Sequence, residues 1–340
     1  MHNQEQNKKT LADTAISVLD LAPVLEGKTP ADSFRNSLDL AQHVERWGYE
    51  RFWLAEHHNM PGIASTATAV LIGYIAGGTS TIRVGSGGIM LPNHAPLIVA
   101  EQFGTLATLY PGRIDLGLGR APGTDQLTAA ALRRNLAGTV NDFPNNVEEL
   151  MRYLSADNRR SPVRAIPGEG LDIPIWLLGS STFGAQLAGI LGRPYVFASH
   201  FAPTYLHEAL RVYRESFQPS DELQQPYAVV AVNAVVADTD AAAQLLATSL
   251  YASFLNVIRG TPMLLKPPLE DLDSLWDGSE KYAVQQMLRV SFIGGPATVK
   301  EGLQHLLQAT RADEIMISSH IYDHAARLRS YELIAELKKA

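Results

Sequence analysis

The sequence predicts an α/β fold: a (β/α)8 TIM barrel with an insertion before the last strand. Eight short runs of β-branched and apolar residues alternate with helical segments along the 340 residues. Polar and titratable residues recur where these runs end, and a barrel builds its active site at that face. The count of eight favours a closed barrel over an open doubly wound sheet, which remains the alternative. We treat residues 1–340 as a single domain.

Four strands and four helical segments are predicted in the first half of the chain. The first helix has apolar residues at steps of three or four, from Phe34 to Trp47, and Gly48 ends it. Gly77 closes the second helix, and the third helix opens near Pro96. The predicted strands are 16–20, 51–55, 81–91 and 114–118, and the helical segments are 30–47, 65–76, 96–109 and 124–155.

The second half of the chain supplies the other four predicted strands. The longest β run, residues 227–237, is the seventh strand. Residues 261–280 are irregular and rich in proline and acids, so we assign 261–290 to an insertion rather than to a domain. The remaining strands are 173–178, 195–198 and 314–318, the helices are 183–191, 203–217, 239–259, 281–290, 297–310 and 325–338, and a turn is predicted at 292–296.

Composition and charge exclude several classes of protein. The chain is 46% hydrophobic and 19% charged, which is ordinary for a globular protein. A net charge of −7 and the lack of a basic stretch argue against nucleic-acid binding. The absence of cysteine excludes disulfides and thiolate metal sites. Residues 1–10 are polar and no run of about 18 apolar residues occurs, so we expect neither a secretory signal nor membrane insertion, and a cytoplasmic location.

Three titratable residues, Glu56, His57 and His58, follow the second predicted strand. Adjacent side chains on an extended backbone point to opposite faces, so both histidines reach one small ligand only if the strand ends there. One of the pair is therefore expected to be structural. The sequence has no His-Glu-x-x-His pattern and no third ligand at a suitable spacing, so no metal site is predicted.

Polar groups also mark the other strand ends. Gly179, Ser180, Ser181 and Thr182 lead directly into a helix, where hydroxyls and free N–H groups suit a phosphate. Arg120, at another strand end, has the charge to assist. The alternative is an ordinary N-cap by Ser or Thr.

Ser86, Gly87 and Gly88 lie inside a strongly β run. Glycine weakens a strand, so the pair indicates either a plain bulge at the barrel rim or the close approach of something flat to the backbone. Asp20, Ser199-His200 and Ser319-His320 complete the polar strand ends.

Four separated motifs resemble those of the bacterial luciferase-like flavin-dependent monooxygenases, in order and spacing, over about residues 16–321. The motifs are Trp53-Leu-Ala-Glu-His-His58, Ile82-Arg-Val-Gly-Ser-Gly-Gly-Ile-Met-Leu-Pro92, Ala100-Glu-Gln102 and Pro111-Gly-Arg-Ile-Asp-Leu-Gly-Leu-Gly-Arg120. Segments 175–181 and 292–299 fit the phosphate region and a late turn of the same family.

The resemblance implies a TIM barrel that uses O2 and reduced FMN, with the flavin as a diffusible cosubstrate. A separate NAD(P)H:flavin reductase would supply the reduced FMN, and a C4a-hydroperoxyflavin would transfer one oxygen atom to a small organic substrate. The family likeness also implies a homodimer that packs through the early barrel helices.

The resemblance further implies roles for individual residues. His57 matches the catalytic histidine, and an unperturbed pKa near 6.5 suits an acid or base at neutral pH. The residues that match the segment under the isoalloxazine are Ser86, Gly87 and Gly88, and those that match the phosphate cradle are Arg120, Gly179, Ser180, Ser181 and Thr182. We assign Glu56, His58 and His200 to the substrate pocket.

Three other functions stay open: an F420-dependent oxidoreductase of the same superfamily, a non-catalytic flavin-binding relative, and a metal-assisted barrel hydrolase. Deazaflavin does not activate O2, so turnover with reduced FMN or with F420 separates the first of these from a monooxygenase. The sequence does not identify the substrate, and we infer neither bioluminescence nor an aldehyde substrate.

Overall fold

Eight parallel strands close into a barrel in the computed structural model, as predicted. The model describes residues 9–121, 123–132 and 142–339, so the middle of the predicted helical segment 124–155 lies outside the described residues. Closure is direct, because the last strand pairs with both β1 and β8. The strands are β1 Ala15–Asp20, β2 Arg51–Leu54, β3 Arg83–Ser86, β4 Ile89–Met90, β5 Ile114–Gly119, β6 Ile175–Gly179, β7 Tyr195–Phe197, β8 Ala228–Val236, β9 Ser291–Gly294 and β10 Glu314–Ser318.

Helices cover the outside of the barrel. The ends of the first helix are set by local capping residues. The first helix follows a capping box: the Thr29 hydroxyl accepts from the Asp32 N–H, and the Asp32 carboxylate accepts from the Thr29 N–H. That helix ends at Gly48, whose φ of 81° suits glycine. The helices are α1 Pro30–Trp47, α2 Thr68–Gly77, α3 Pro96–Leu109, α4 Gln126–Leu132, α5 Phe143–Leu154, α6 Thr182–Ile190, α7 Leu206–Ser216, α8 Asp240–Ile258, α9 Gly278–Met287, α10 Pro296–Thr310 and α11 His324–Leu337.

Two strands differ from the prediction. The predicted third strand, 81–91, is divided into β3 and β4 at Gly87 and Gly88, which are joined by a cis peptide bond. The predicted turn at 292–296 overlaps β9, which pairs in parallel with the end of β8. The extra strand forms because β8 has nine residues and extends beyond its pairing with β10, which leaves backbone groups for a further partner.

The predicted insertion lies against the loop that follows β1. The Leu265 N–H donates to the Val24 carbonyl at 2.9 Å, and the Glu26 N–H donates to the Leu265 carbonyl at 2.8 Å. The insertion also lies close to the loop after β2, since a Cβ on Gly62 would stand 2.3 Å from the Met263 carbonyl oxygen. Because Val24 follows the carboxyl end of β1, the insertion borders the face of the barrel that carries the polar strand ends.

The interior of the barrel is filled by side chains from alternate positions of the strands. Trp53 and Trp176 meet edge to face with ring centroids 5.2 Å apart, in a buried cluster with Met316 and Val229. The interior is therefore a packed core, and the space for chemistry lies above it, at the carboxyl ends of the strands.

A buried ionic layer closes the opposite, amino end of the barrel. Arg51 on β2 donates to Asp115 on β5 at 2.9 Å and to Glu314 on β10 at 2.9 Å. Arg83 on β3 donates to the second oxygen of Asp115 at 2.6 Å, and the Tyr227 hydroxyl donates to Glu314 at 2.9 Å. Two arginines thus neutralise two carboxylates that are both fully buried.

Among the described residues, α8 is the one helix that is long and apolar enough to cross a membrane. Its buried side chains, such as Leu250 and Phe254, pack in a cluster with Val235 of β8 and Val284 of α9. This contact accounts for its apolar composition, because a helix buried against a sheet and a second helix needs apolar residues over much of its circumference.

Replacing Arg51 with methionine should destabilise the protein strongly. The variant keeps an apolar stem but leaves two buried carboxylates with less countercharge, which costs about 3–5 kcal/mol. Urea unfolding followed by circular dichroism measures the loss. Arg211→Met, which removes an exposed pair with Glu215 on α7, is the control and should leave the midpoint almost unchanged. Equal midpoints for the two variants would contradict a structural role for the ionic layer.

Candidate active site

Glu56 is a buried anchor at the end of β2. Its carboxylate accepts hydrogen bonds from His58 Nε2 at 2.7 Å, from His94 Nε2 at 2.9 Å and from the Met90 N–H at 3.0 Å. Burial raises the pKa of Glu56, but the hydrogen bonds from His94, His58 and Met90 outweigh it, so the pKa lies below its usual value. The carboxylate therefore stays ionised and fastens β4 to the end of β2.

His58 is the engaged member of the histidine pair, which agrees with the expectation that one of the two is structural. The prediction places Glu56 and His58 in a substrate pocket. In the structure the two side chains are hydrogen-bonded to each other in one cluster. Sequence reasoning missed His94, whose contact with Glu56 spans 38 residues. A signal was present, since His94 lies three residues after the end of the predicted glycine-rich strand at 81–91.

His57 lies beside this cluster and is only partly buried. Its Nδ1 is 3.3 Å from the Gly123 carbonyl oxygen. A carbonyl can only accept, so Nδ1 carries the proton of the neutral ring and Nε2 carries the lone pair. Burial lowers the pKa of His57 below the ordinary value, which keeps the ring neutral at neutral pH. Within the described residues Nε2 has no hydrogen-bond partner, so it is the atom able to take up a proton.

Gly123 holds the backbone that His57 contacts. It has a φ of +64°, and a Cβ there would stand 2.9 Å from the Glu56 carbonyl oxygen. Both features favour glycine, because a side chain would need a left-handed backbone conformation and would also collide with the end of β2. The loop after β5 therefore fits closely against the residues that follow β2.

Ser86, Gly87 and Gly88 pack tightly against the neighbouring strands. The Ser86 hydroxyl donates to the Gly117 carbonyl at 2.9 Å and accepts from the Gly117 N–H at 3.0 Å. A Cβ on Gly87 would stand 2.5 Å from Leu19 Cδ1, and one on Gly88 would stand 2.8 Å from the Gly117 carbonyl oxygen. The barrel itself thus requires small residues here, which is a reason for the glycines independent of any ligand.

The start of α6 and Arg120 lie together at the ends of β5 and β6. The Arg120 guanidinium stacks on the Phe183 ring at 4.2 Å from its centroid, and Phe183 is the second residue of α6. Ser181 occupies the N-cap position, but its side chain accepts no capping hydrogen bond. The Ser181 side chain therefore does not act as an ordinary N-cap.

This arrangement fits a phosphate. Arg120 has no ion pair within the described parts of the chain, and the first N–H groups of a helix lack partners inside it. A Cβ on Gly179 would make only ordinary contacts, at 3.4 Å from the Tyr195 hydroxyl and 3.7 Å from Gly184 Cα, so packing alone does not require glycine there. The Tyr195 hydroxyl donates to the Ser181 carbonyl at 3.2 Å. Ser180 and Thr182 flank Ser181 at the same turn.

His200 and His320 form a second histidine group at the rim. Burial, and then the proximity of His320 and His57, lowers the pKa of His200 to about 3. Burial, with the nearby Arg327 cation, lowers the pKa of His320 to about 4. Of the two, only His200 was assigned to the site from the sequence. Asn233 also reaches this group, because its Nδ2 donates to the His200 carbonyl at 2.5 Å.

The signal for Asn233 was available in the sequence. It is the one polar residue in the apolar run from Ala228 to Val236. Val229 and Ala231 belong to the cluster inside the barrel, so alternation carries Asn233 inward as well. Asp20, by contrast, is bound to Arg327 at 2.7 Å beneath α11 and has a structural role.

Comparison with known protein families and sequences shows which proteins this chain is similar to. The model of the luciferase-like monooxygenase family matches residues 15–314. The chain is 60% identical over 328 residues to the Bacillus subtilis protein YvbT, described as uncharacterised, covering 96% of this chain and 97% of that one. It is 54% identical over 325 residues to a luciferase-like monooxygenase of Escherichia coli K12, with coverage of 96% and 97%.

Solved structures show the same fold. Apo-MsnO8 superposes with a TM-score of 0.89 at 38% identity and covers 96% of this chain and 98% of its own. The oxygenating constituent of a 3,6-diketocamphane monooxygenase of Pseudomonas putida, in complex with FMN, gives a TM-score of 0.70 at 18% identity, with coverage of 95% and 97%. An F420-dependent secondary alcohol dehydrogenase gives 0.69 at 15%, with coverage of 96% and 100%. The last two likenesses show the fold alone.

The family match over most of the chain and the relatives above 50% identity point to the same group as the motifs. The chain belongs to the luciferase-like monooxygenase family, and its enzymatic class is that of the flavin-dependent monooxygenases.

Proposed function

We propose that this enzyme uses reduced FMN and O2 to oxygenate a small organic substrate. The observation that carries the proposal is the start of α6 beside Arg120, where a helix begins without a side-chain cap and a guanidinium makes no ion pair with any described residue, an arrangement that suits a phosphate. FMN has such a phosphate, and reduced FMN with O2 supplies the oxygenating chemistry, by way of the C4a-hydroperoxide that the family likeness implies.

The residues of the rim have different proposed roles in binding the cofactor and in proton transfer. Arg120 and the turn from Gly179 to Thr182 bind and orient the phosphate end of the cofactor. Gly87 and Gly88, with Ser86, form the wall beside His57, where the ring of the cofactor is proposed to lie. His57 Nε2 takes up or returns a proton there, because Nδ1 is held by the Gly123 carbonyl. Glu56 keeps this wall in place through Met90, and His58 lies next to it.

Several parts of the proposal concern partners and setting. We propose that reduced FMN arrives as a diffusible cosubstrate from a separate NAD(P)H:flavin reductase in the cytoplasm. Some proteins of the same fold use F420, so the cofactor is the first point to test. Anaerobic titration with reduced FMN, followed by an O2 pulse, should produce a transient hydroperoxyflavin absorbance. Turnover with F420 alone would instead support an oxidoreductase.

Arg120→Ala should weaken FMN binding more than riboflavin binding. A charge-assisted contact to phosphate contributes about 1.5–3 kcal/mol to binding. Riboflavin has no phosphate, so its binding does not include this contact and should not be weakened by the substitution. Fluorescence titration with both ligands measures the two losses. Arg289→Ala, which removes a contact to the Pro203 carbonyl on another part of the rim, is the control and should change neither affinity. Equal losses for both flavins in Arg120→Ala would place the phosphate elsewhere.

His57→Ala should lower the substrate-dependent rate by about 10²–10⁴-fold while reduced FMN still binds. The lowered pKa of His57 means that the neutral ring persists as the pH falls through 6.5, and its base function is lost only below the lowered pKa. The acid limb of the pH profile should therefore lie below pH 6.5 in the wild type and disappear in the variant. An unchanged oxidation rate in His57→Ala would support the non-catalytic flavin-binding alternative.

We further propose a homodimer formed through α2 and α3. Large apolar side chains on these adjacent helices are exposed: Val70 at 75%, Tyr74 at 45%, Ile98 at 46% and Leu109 at 61%. Exposed apolar residues gathered on neighbouring elements mark interaction surfaces.

Val70→Lys combined with Leu109→Lys should convert the dimer to a monomer, since two buried charges would oppose association. Light scattering after gel filtration gives the mass. The control is Tyr282→Lys, an equally exposed apolar position on α9, which should leave the mass unchanged. A wild-type protein that elutes as a monomer would contradict the proposed dimer.

A further inference from the structure

Three neighbouring strands place polar atoms without partners at the rim. These atoms are His200 Nδ1 after β7, Asn233 Oδ1 on β8 and His320 Nδ1 after β10, all buried and all without a hydrogen bond among the described residues. β8 pairs with β7 on one side and with β10 on the other, and Asn233 is in register with Ser318. The three atoms therefore belong to one part of the rim.

Three such atoms gathered at one rim are suited to hydrogen-bond a ligand. A buried polar atom without a hydrogen bond costs about 1–3 kcal/mol, and native proteins satisfy the large majority of them. The phosphate cradle is on β5 and β6 and the glycine wall is on β3, whereas these three atoms lie on or directly after β7, β8 and β10. His200 is also near His57, so the sector from β7 to β10 adjoins the proposed flavin site, which is where a substrate would meet the cofactor.

The lack of net charge in this sector indicates an uncharged ligand. His200 and His320 are neutral above about pH 4, so each ring has one donor and one acceptor nitrogen. Arg327, the cation whose proximity lowers the pKa of His320, is committed to Asp20 at 2.7 Å and to the Ser319 carbonyl at 3.2 Å. The described residues offer an anionic group no evident free countercharge here, and its desolvation would be unfavourable.

Aromatic side chains form the apolar part of the same sector. Phe201 meets the His200 ring edge to face at 4.8 Å, and Phe254 meets the His320 ring in the same way at 6.2 Å. Phe254 belongs to α8, which packs with the insertion helix α9. A ligand of this sector thus meets hydrogen-bonding atoms and aromatic surface together.

We propose that His200, Asn233 and His320 bind an uncharged hydrogen-bonding group of the substrate, such as a carbonyl, hydroxyl or amide carried on an apolar body. The proposal rests on the proposed function, which puts the flavin against β3, β5 and β6. It assigns substrate selection to His320 and Asn233, and it excludes substrates whose recognised group is a carboxylate or a sulfonate.

Octanamide and octanoate test this choice, because they share a chain and differ in the charge of the head group. Protein labelled at histidine with ¹³C and ¹⁵N is titrated with each probe, under anaerobic conditions, with and without saturating reduced FMN. The imidazole signals are assigned with His200→Gln and His320→Gln. Octanamide should shift the signals of His200 and His320 and bind at least tenfold more tightly than octanoate.

Substitutions of His320 distinguish a hydrogen-bonding role of its side chain from a merely structural one. His320→Leu should weaken octanamide binding about fivefold to tenfold, the usual effect of one hydrogen bond, and His320→Gln should restore part of the loss. His305→Leu, at an exposed histidine of α10, is the matched control and should change nothing. Reduced FMN should bind all of these variants with unchanged affinity.

Three results would overturn the proposal: octanoate binding as tightly as octanamide, binding of octanamide without any shift of the two imidazoles, or no binding of either probe. Failure of the proposed function has a different signature. In that case reduced FMN does not bind the wild type, while octanamide still shifts His200 and His320, so the polar sector stands and the flavin assignment falls.

Discussion

Arg51 is the group on which the geometry of the barrel depends. It lies at the start of β2 and binds Asp115 of β5 and Glu314 of β10, so one side chain joins three strands that are far apart in sequence. The Trp53 indole N–H donates to the same Asp115 at 3.1 Å, which couples the ionic layer to the aromatic layer above it. The amino end of the barrel is therefore locked in one register, and a change of register would leave buried charges without partners.

The two ends of the barrel contrast in how their polar groups are satisfied. At the amino end each buried carboxylate has an arginine, and the arrangement is complete without a ligand. At the carboxyl end Glu56 is satisfied, but among the described residues His200, Asn233 and His320 each retain a buried side-chain atom without a hydrogen-bond partner. The first end contributes stability, and the unpaired groups of the second end are the ones that we propose for ligand binding.

Local patterns predicted most of the fold. The steps of three and four in α1, the capping box at Thr29 and the glycine stop at Gly48 are all local, and the helix forms where they indicate. The prediction was wrong at β9, because a strand of four residues forms only when the end of β8 offers it unpaired backbone groups. It was incomplete for the third strand: Gly87 and Gly88 indicated a bulge or a close approach, but the β run was still predicted as one strand, and the structure divides it there.

The sequence by itself determined the barrel class, the family and the positions of the strand ends, because these depend on periodicity and on motifs within short windows. Only the tertiary structure decided which polar groups are free. It showed that His58 is engaged by Glu56, that Arg120 lies on Phe183 at the start of α6, and that His320 shares the rim with His200 and Asn233. The physical reason is strand pairing: β5 beside β6 brings Arg120 to the start of α6, and β8 between β7 and β10 brings Asn233 to the rim with His200 and His320.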